Sequence, residues 1–167
     1  MDRYVYAYHR EVGVGKIFFR FPKLLDITSF IPKAADKTMT ENDLHYHVTD
    51  AVVTALQGYI AGRMEIPSGD DPGLVRADGF VVLSVQQAMK LELYKVYREN
   101  CRSIPDLAKQ IGKHETAVRR LLNLRHPSLA TEIEGAIEFF GKRLIHCWDT
   151  ETISPHSHSA RLAMRQE

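Results

Sequence analysis

The chain has 167 residues, 44% of them hydrophobic and 26% charged, the balance of a globular protein with room for one large core or two small ones. No stretch approaches the ~20 apolar residues of a membrane-spanning helix, the start carries no signal-peptide pattern, and Cys101 and Cys147 are too few for a disulfide framework, so a cytoplasmic protein with reduced thiols is expected. The net charge of +1 is unevenly spread: residues 1–84 hold 9 Lys/Arg against 11 Asp/Glu, residues 85–147 hold 11 against 7, and residues 148–167 hold 2 against 3.

Tyr4-Val-Tyr-Ala-Tyr8 alternates aromatic with small residues and predicts a strand, with Tyr4, Tyr6 and Tyr8 on one face as core. Gly13 and Gly15 bracket a turn into a second strand, Lys16–Phe21, closed by Pro22. Ile27–Ile31 reads as a third strand, closed by Pro32, and Lys33–Asn42 as a polar loop. From about Asn42, Leu44, Val48, Ala51, Val52, Ala55, Leu56, Tyr59 and Ile60 recur at three and four, which predicts a helix ending near Gly62. Ile66–Gly73 is a loop of turn residues whose Asp70 and Asp71 are expected to be exposed, and Phe80–Val85 reads as a returning strand. The order β-β-β-α-β predicts a small α+β layer, one sheet under one helix.

Val85–Asn100 reads as an amphipathic helix, with Met89, Leu93 and Val96 on its apolar stripe and Lys90, Glu92 and Lys95 as its polar positions. Ser103 followed by Asp106 has the spacing of a capping box, and Pro105 falls in a first turn, where its missing N–H does no harm. Over Ile104–Leu121, Ala108, Gly112, Val118 and Leu121 take the spacing of a helix-turn-helix. The small Ala lets two helices approach, and Gly tolerates the positive φ of the turn. Val118 and Leu121 share the inner face of the second helix, against Leu107 and Ile111 of the first. A last helix is expected over Leu129–Phe140, capped by Ser128 and ended by Gly141.

The outward face of the second motif helix offers His114, Glu115, Thr116, Arg119 and Arg120 to a DNA groove, where Arg can pair bidentately with guanine. Lys113, Asn123 and Arg125 flank that helix and are expected to reach phosphates. A basic second half joined to an acidic first half fits a DNA-binding module attached to a unit with another task. The alternative is a helical hairpin whose arginines are merely solvated.

Other polar residues point to no catalysis, metal or cofactor. His45 and His47 are two apart, on opposite sides of a helix, with no further ligands to complete a zinc set. His156 and His158 sit in a serine-rich polar tail. Asp26, Asp36, Asp43 and Asp50 evoke an acidic nuclease site, but only Asp43 and Asp50 share a helix face, and the strand positions that would carry partner acids are Ile17 and Phe19.

The element order, the Val82-Leu-Ser-Val85 phrase, and the runs Ile111-Gly-Lys113, Arg120-Leu-Leu-Asn-Leu-Arg-His126 and Ala136-Ile-Glu-Phe-Phe-Gly-Lys-Arg-Leu144 resemble HicB antitoxins, over roughly residues 3–146. The resemblance implies a partial RNase H-like, non-catalytic unit over residues 1–82 that binds a HicA-type RNA-cleaving toxin. It further implies an all-α helix-turn-helix unit over 83–147 that represses its own operon by binding operator DNA, while 148–167 form a polar tail. Asp70 and Asp71 are the first toxin-binding candidates, because an acidic unit complements a basic RNA-binding toxin. A homodimer or higher oligomer is expected through Phe139, Phe140, Leu144, Ile145 and Trp148. Two other functions compete: a stand-alone transcriptional regulator whose first half senses a ligand or oligomerises, and an RNA-processing enzyme.

Overall fold

The computed structural model describes residues 4–25 and 27–144. Its strands are β1 (Val5–Val12), β2 (Lys16–Phe21), β3 (Ile27–Pro32) and β4 (Gly79–Val82). Its helices are α1 (Lys33–Asp36), α2 (Glu41–Ala61), α3 (Val85–Asn100), α4 (Ile104–Gln110), α5 (Glu115–Leu121) and α6 (Ala130–Glu138). The strands form one antiparallel sheet in the order β3-β2-β1-β4. The β1–β2 turn closes through Gly13 N–H to Lys16 O at 2.9 Å, with Gly15 at φ 71°. β4 is short because Ser84 leaves the sheet to cap α3: its hydroxyl accepts from Gln87 N–H while the Gln87 side chain accepts from Ser84 N–H.

Period two puts Tyr6, Ile17, Phe19, Phe21, Ile31 and Val81 on one sheet face, where all are buried. Tyr4 joins them, while Tyr8 is half-buried and packs edge-on to Phe19, with ring centroids 5.7 Å apart. α2 supplies Val48, Val52, Leu56 and Tyr59 to the same core. It opens on a capping box between Thr40 and Asp43. The stretch expected as a loop over Lys33–Asn42 contains the one-turn α1, with Asp36 bound by both carboxylate oxygens to Arg10 at 2.6 Å.

β1 is longer than either neighbour, so its partners change along its length. His9–Val12 pair with β2, whereas Val5–Tyr8 pair only with β4. The other edge of Val5–Ala7 is completed by Asp70, whose N–H donates to Val5 O at 2.6 Å and whose carboxylate accepts from Ala7 N–H at 2.8 Å. Asp70 therefore stands in for a strand, and it is buried, contrary to the exposure that its turn-rich surroundings predict.

The apolar core runs on without a break at residues 82–83. Buried side chains from Tyr4 to Ile137 form one cluster, to which α2 and α3 both contribute. Tyr94 on α3 donates to the carbonyls of Tyr59 (3.2 Å) and Met64 (2.6 Å) at the end of α2. Gln57 on α2 accepts from Leu124 N–H at 3.0 Å. α6 packs on α3; its N-cap is Leu129, without a side-chain bond, and Ser128 instead gives its carbonyl to Gln86. No helix of the described residues is long and apolar enough to cross a membrane.

Candidate nucleic-acid interface

α4 begins where Ser103 Oγ accepts from Asp106 N–H at 3.3 Å. The return bond of a full capping box is displaced by one residue, since the Asp106 carboxylate accepts from Arg102 N–H at 2.7 Å. That backbone bond first, and then one from Gln110, hold the Asp106 carboxyl below the usual carboxylate range. α4 ends in a Schellman turn: Gly112 N–H reaches Lys109 O, Lys113 N–H reaches Ala108 O, and Gly112 sits at φ 65°. No L side chain takes that conformation cheaply, which is why the glycine is placed there.

The turn sets α5 across α4, with Leu107, Ala108, Val118 and Leu121 buried between them. His114, Glu115, Thr116, Arg119 and Arg120 are left exposed on the opposite side, as their spacing predicts. Glu115 and Arg119 pair loosely along the helix at 3.7 Å. Among the described residues, no side-chain partner engages the Arg120 guanidinium.

The flanking residues expected at phosphates are less free. Lys113 lies 3.5 Å from Glu132 on α6. Asn123 uses its side-chain oxygen to accept from Arg125 N–H at 2.9 Å. Arg125 points back onto α2, donating to Asp50 and to Thr54, both at 2.6 Å. Asp70 serves the sheet, with Lys23 Nζ 3.5 Å from its carboxylate, while Asp71 is exposed and accepts from Gly73 N–H at 2.9 Å.

Lys90 is the residue that the sequence pattern misplaces. It occupies a polar position of α3, yet the fold buries it completely. Its ammonium donates to the carbonyls of Arg120 (3.0 Å), Asn123 (2.7 Å) and His126 (2.5 Å), which lie at and just past the end of α5. Burial pushes this ammonium down to about 8. The signal was a second stripe: Lys90, Tyr94 and Tyr97 recur at four and three beside Met89, Leu93 and Val96, so α3 is buried over most of its circumference.

Of the remaining candidates, His45 is exposed, while His47 and Asp43 have structural partners. His47 shares a hydrogen bond of 2.9 Å with Ser29, and Asp43 caps α2. Burial pushes the Cys101 thiol above its ordinary value, with Asp106 adding to the effect. Asp26, Ile145, Cys147, Trp148, His156, His158 and the whole of 148–167 lie outside the described residues.

No family model matches the chain. Over 96 residues it is 32% identical to Antitoxin HicB of Pseudomonas fluorescens (strain Pf0-1), a match spanning 58% of this chain and 65% of that protein. By sequence the chain is similar to proteins named as HicB antitoxins. Antitoxin HicB 2 of Photorhabdus laumondii is 28% identical over 114 residues, 68% of this chain and 79% of that HicB protein. Antitoxin HicB of Escherichia coli (strain K12) is 27% identical over 114 residues, 68% of this chain and 81% of its own. The chain thus spans just under two thirds of the Pseudomonas HicB and about four fifths of the other two.

Proposed function

We propose that the chain is an antitoxin that neutralises a HicA-type RNA-cleaving toxin and represses its own operon by binding operator DNA. The observation that carries the DNA half is the build of α4 and α5. A glycine-ended turn presents one exposed face of α5, with Thr116, Arg119 and Arg120, while the other face is buried and its end is fastened by Lys90. A helix held by buried contacts along its inner side can enter a major groove without reorganising. The toxin half rests on the HicB relatives and on the acidic character of residues 1–84.

The proposed working form is a homodimer or a larger symmetric oligomer, because one such helix covers too little DNA for tight binding. Phe139, the residue that ends α6, is exposed next to half-buried Phe140 and offers an apolar contact for a second copy. The test is co-expression of the full chain with the small basic protein encoded beside its gene, followed by co-purification and a mobility shift on the DNA upstream of that gene. A shifted duplex and a stable pair with the neighbour are expected. Failure of the pair with the shift intact would leave a stand-alone regulator, and failure of the shift would remove the DNA-binding role.

A further inference from the structure

We infer that the cleft between α2, α4 and α5 seats the phosphodiester backbone of duplex DNA, with Arg63 and Arg102 as phosphate ligands and Arg119 at its mouth. This rests on the DNA-binding reading of α5. The cleft has a volume of about 590 Å³ and takes its walls from the end of α2, the start of α4 and the outer side of α5. Arg63, Arg102 and Arg119 line it, together with Gln57, Ser103 and Asn123, and among the described residues no Asp or Glu does. Two carboxylates act on it from outside. Glu115 pairs with Arg119 at 3.7 Å, and Asp106 lies within electrostatic reach of Arg102. The lining still carries a positive excess, which calls for an anionic occupant.

Arg63 is held in place before any ligand arrives. Its backbone adopts φ 52°, uncommon for a residue other than glycine. Its guanidinium stacks 4.8 Å above the Tyr97 ring and donates to the Cys101 and Arg102 carbonyls. Arg has five N–H donors in a planar fork, so bonds to two carbonyls leave others for phosphate oxygens. Arg102 extends from the same turn with an exposed side chain. In a helix-turn-helix the second helix enters the groove while the first crosses the backbone. Here the start of α4 borders the cleft, so the strand flanking the groove filled by α5 would pass over Arg102 and Arg63. Arg63 follows α2 in the first half of the chain, so the proposed interface includes that half as well as the helical half.

The test uses the full-length chain and labelled 40-bp duplexes, one from upstream of its gene and one scrambled, titrated between 50 and 300 mM KCl. Arg102→Ala and Arg102→Glu are the deciding variants, because that side chain is exposed and its loss leaves the carbonyl bonded by Arg63; thermal melting checks that both fold. For Arg102→Ala the slope of log affinity against log salt should shrink by roughly 0.9, the value of one lost phosphate contact, equally on both duplexes. Arg102→Glu should bind more weakly still. Wild-type slopes for both variants, with the wild type binding normally, would overturn the cleft and leave the α5 reading standing. A change seen on RNA of the same sequence but not on DNA would overturn it too. Absence of wild-type binding to either duplex at the lowest salt would overturn both readings together.

Discussion

Lys90 Nζ donates to the Asn123 carbonyl at 2.7 Å across 33 residues of chain, tying the middle of α3 to the turn that follows α5. The last carbonyls of a helix have no partner within it, and the negative end of the helix dipole favours a cation there. A single buried ammonium meets both needs, and it also fixes where α5 ends relative to the rest of the helical bundle.

Replacing Lys90 by Met keeps most of the volume and removes the donors. The Arg120 and Asn123 carbonyls keep backbone N–H partners from Asn123 and His126, while the His126 carbonyl loses the Lys90 ammonium. A charge-assisted bond of this kind contributes roughly 1–3 kcal/mol, so urea unfolding should show a loss in that range, with weaker DNA binding at temperatures where the variant is still folded. The same residue predicts a pH dependence. Its native value lies near 8 against 10.5 when solvated, so between those values the unfolded chain holds a proton that the folded chain lacks. Stability of the wild type relative to Lys90→Met should therefore rise with pH over that window. A flat or falling difference in urea midpoints between pH 8 and 10.5 would contradict the placement of the ammonium.

Gly112→Ala meets open space but a left-handed backbone at φ 65°. The cost is conformational, on the order of 1–2 kcal/mol, and it falls on the turn that orients α5. Thermal melting should register the loss, and operator binding should weaken by at least as much as stability alone explains.

Arg120→Ala removes an exposed guanidinium with no partner among the described side chains, so folding should be unchanged. If this residue reads a base edge, operator affinity should drop by ~1–3 kcal/mol while binding to scrambled DNA changes far less. Arg125→Ala is the contrast, since its guanidinium is spent on Asp50 and Thr54. It should leave the salt slope of DNA binding near the wild-type value and cost at most about 1 kcal/mol of stability. Anisotropy titrations of both variants on both duplexes separate the two roles.

Asp70→Ala and Asp71→Ala should part company. The first deprives Ala7 N–H of its acceptor inside the sheet layer and should destabilise the fold by roughly 1–3 kcal/mol. The second breaks only an exposed local turn and should stay within about 0.5 kcal/mol. Of the pair, Asp71 is the one whose loss can report on toxin binding without a folding artefact. Equal unfolding midpoints for the two variants would show that the Asp70 bond carries no weight.

Elements whose cause is local were legible in the amino-acid pattern. Period two placed Tyr6, Ile17 and Phe19 under one helix, and the three-and-four spacing from Leu44 to Ile60 set α2. Gly112 at the ninth motif position located the α4–α5 turn, and the exposed face of α5 followed from Val118 and Leu121 lying three apart. The directions of Lys90, Asp70, Arg63 and Arg125 were set by long-range packing. Each is a polar residue whose partner is 30 or more residues away, and local pattern assigns such residues to solvent by default. Their burial becomes favourable only once distant backbone groups are brought within hydrogen-bonding distance, and that is a property of the assembled core rather than of any window of sequence.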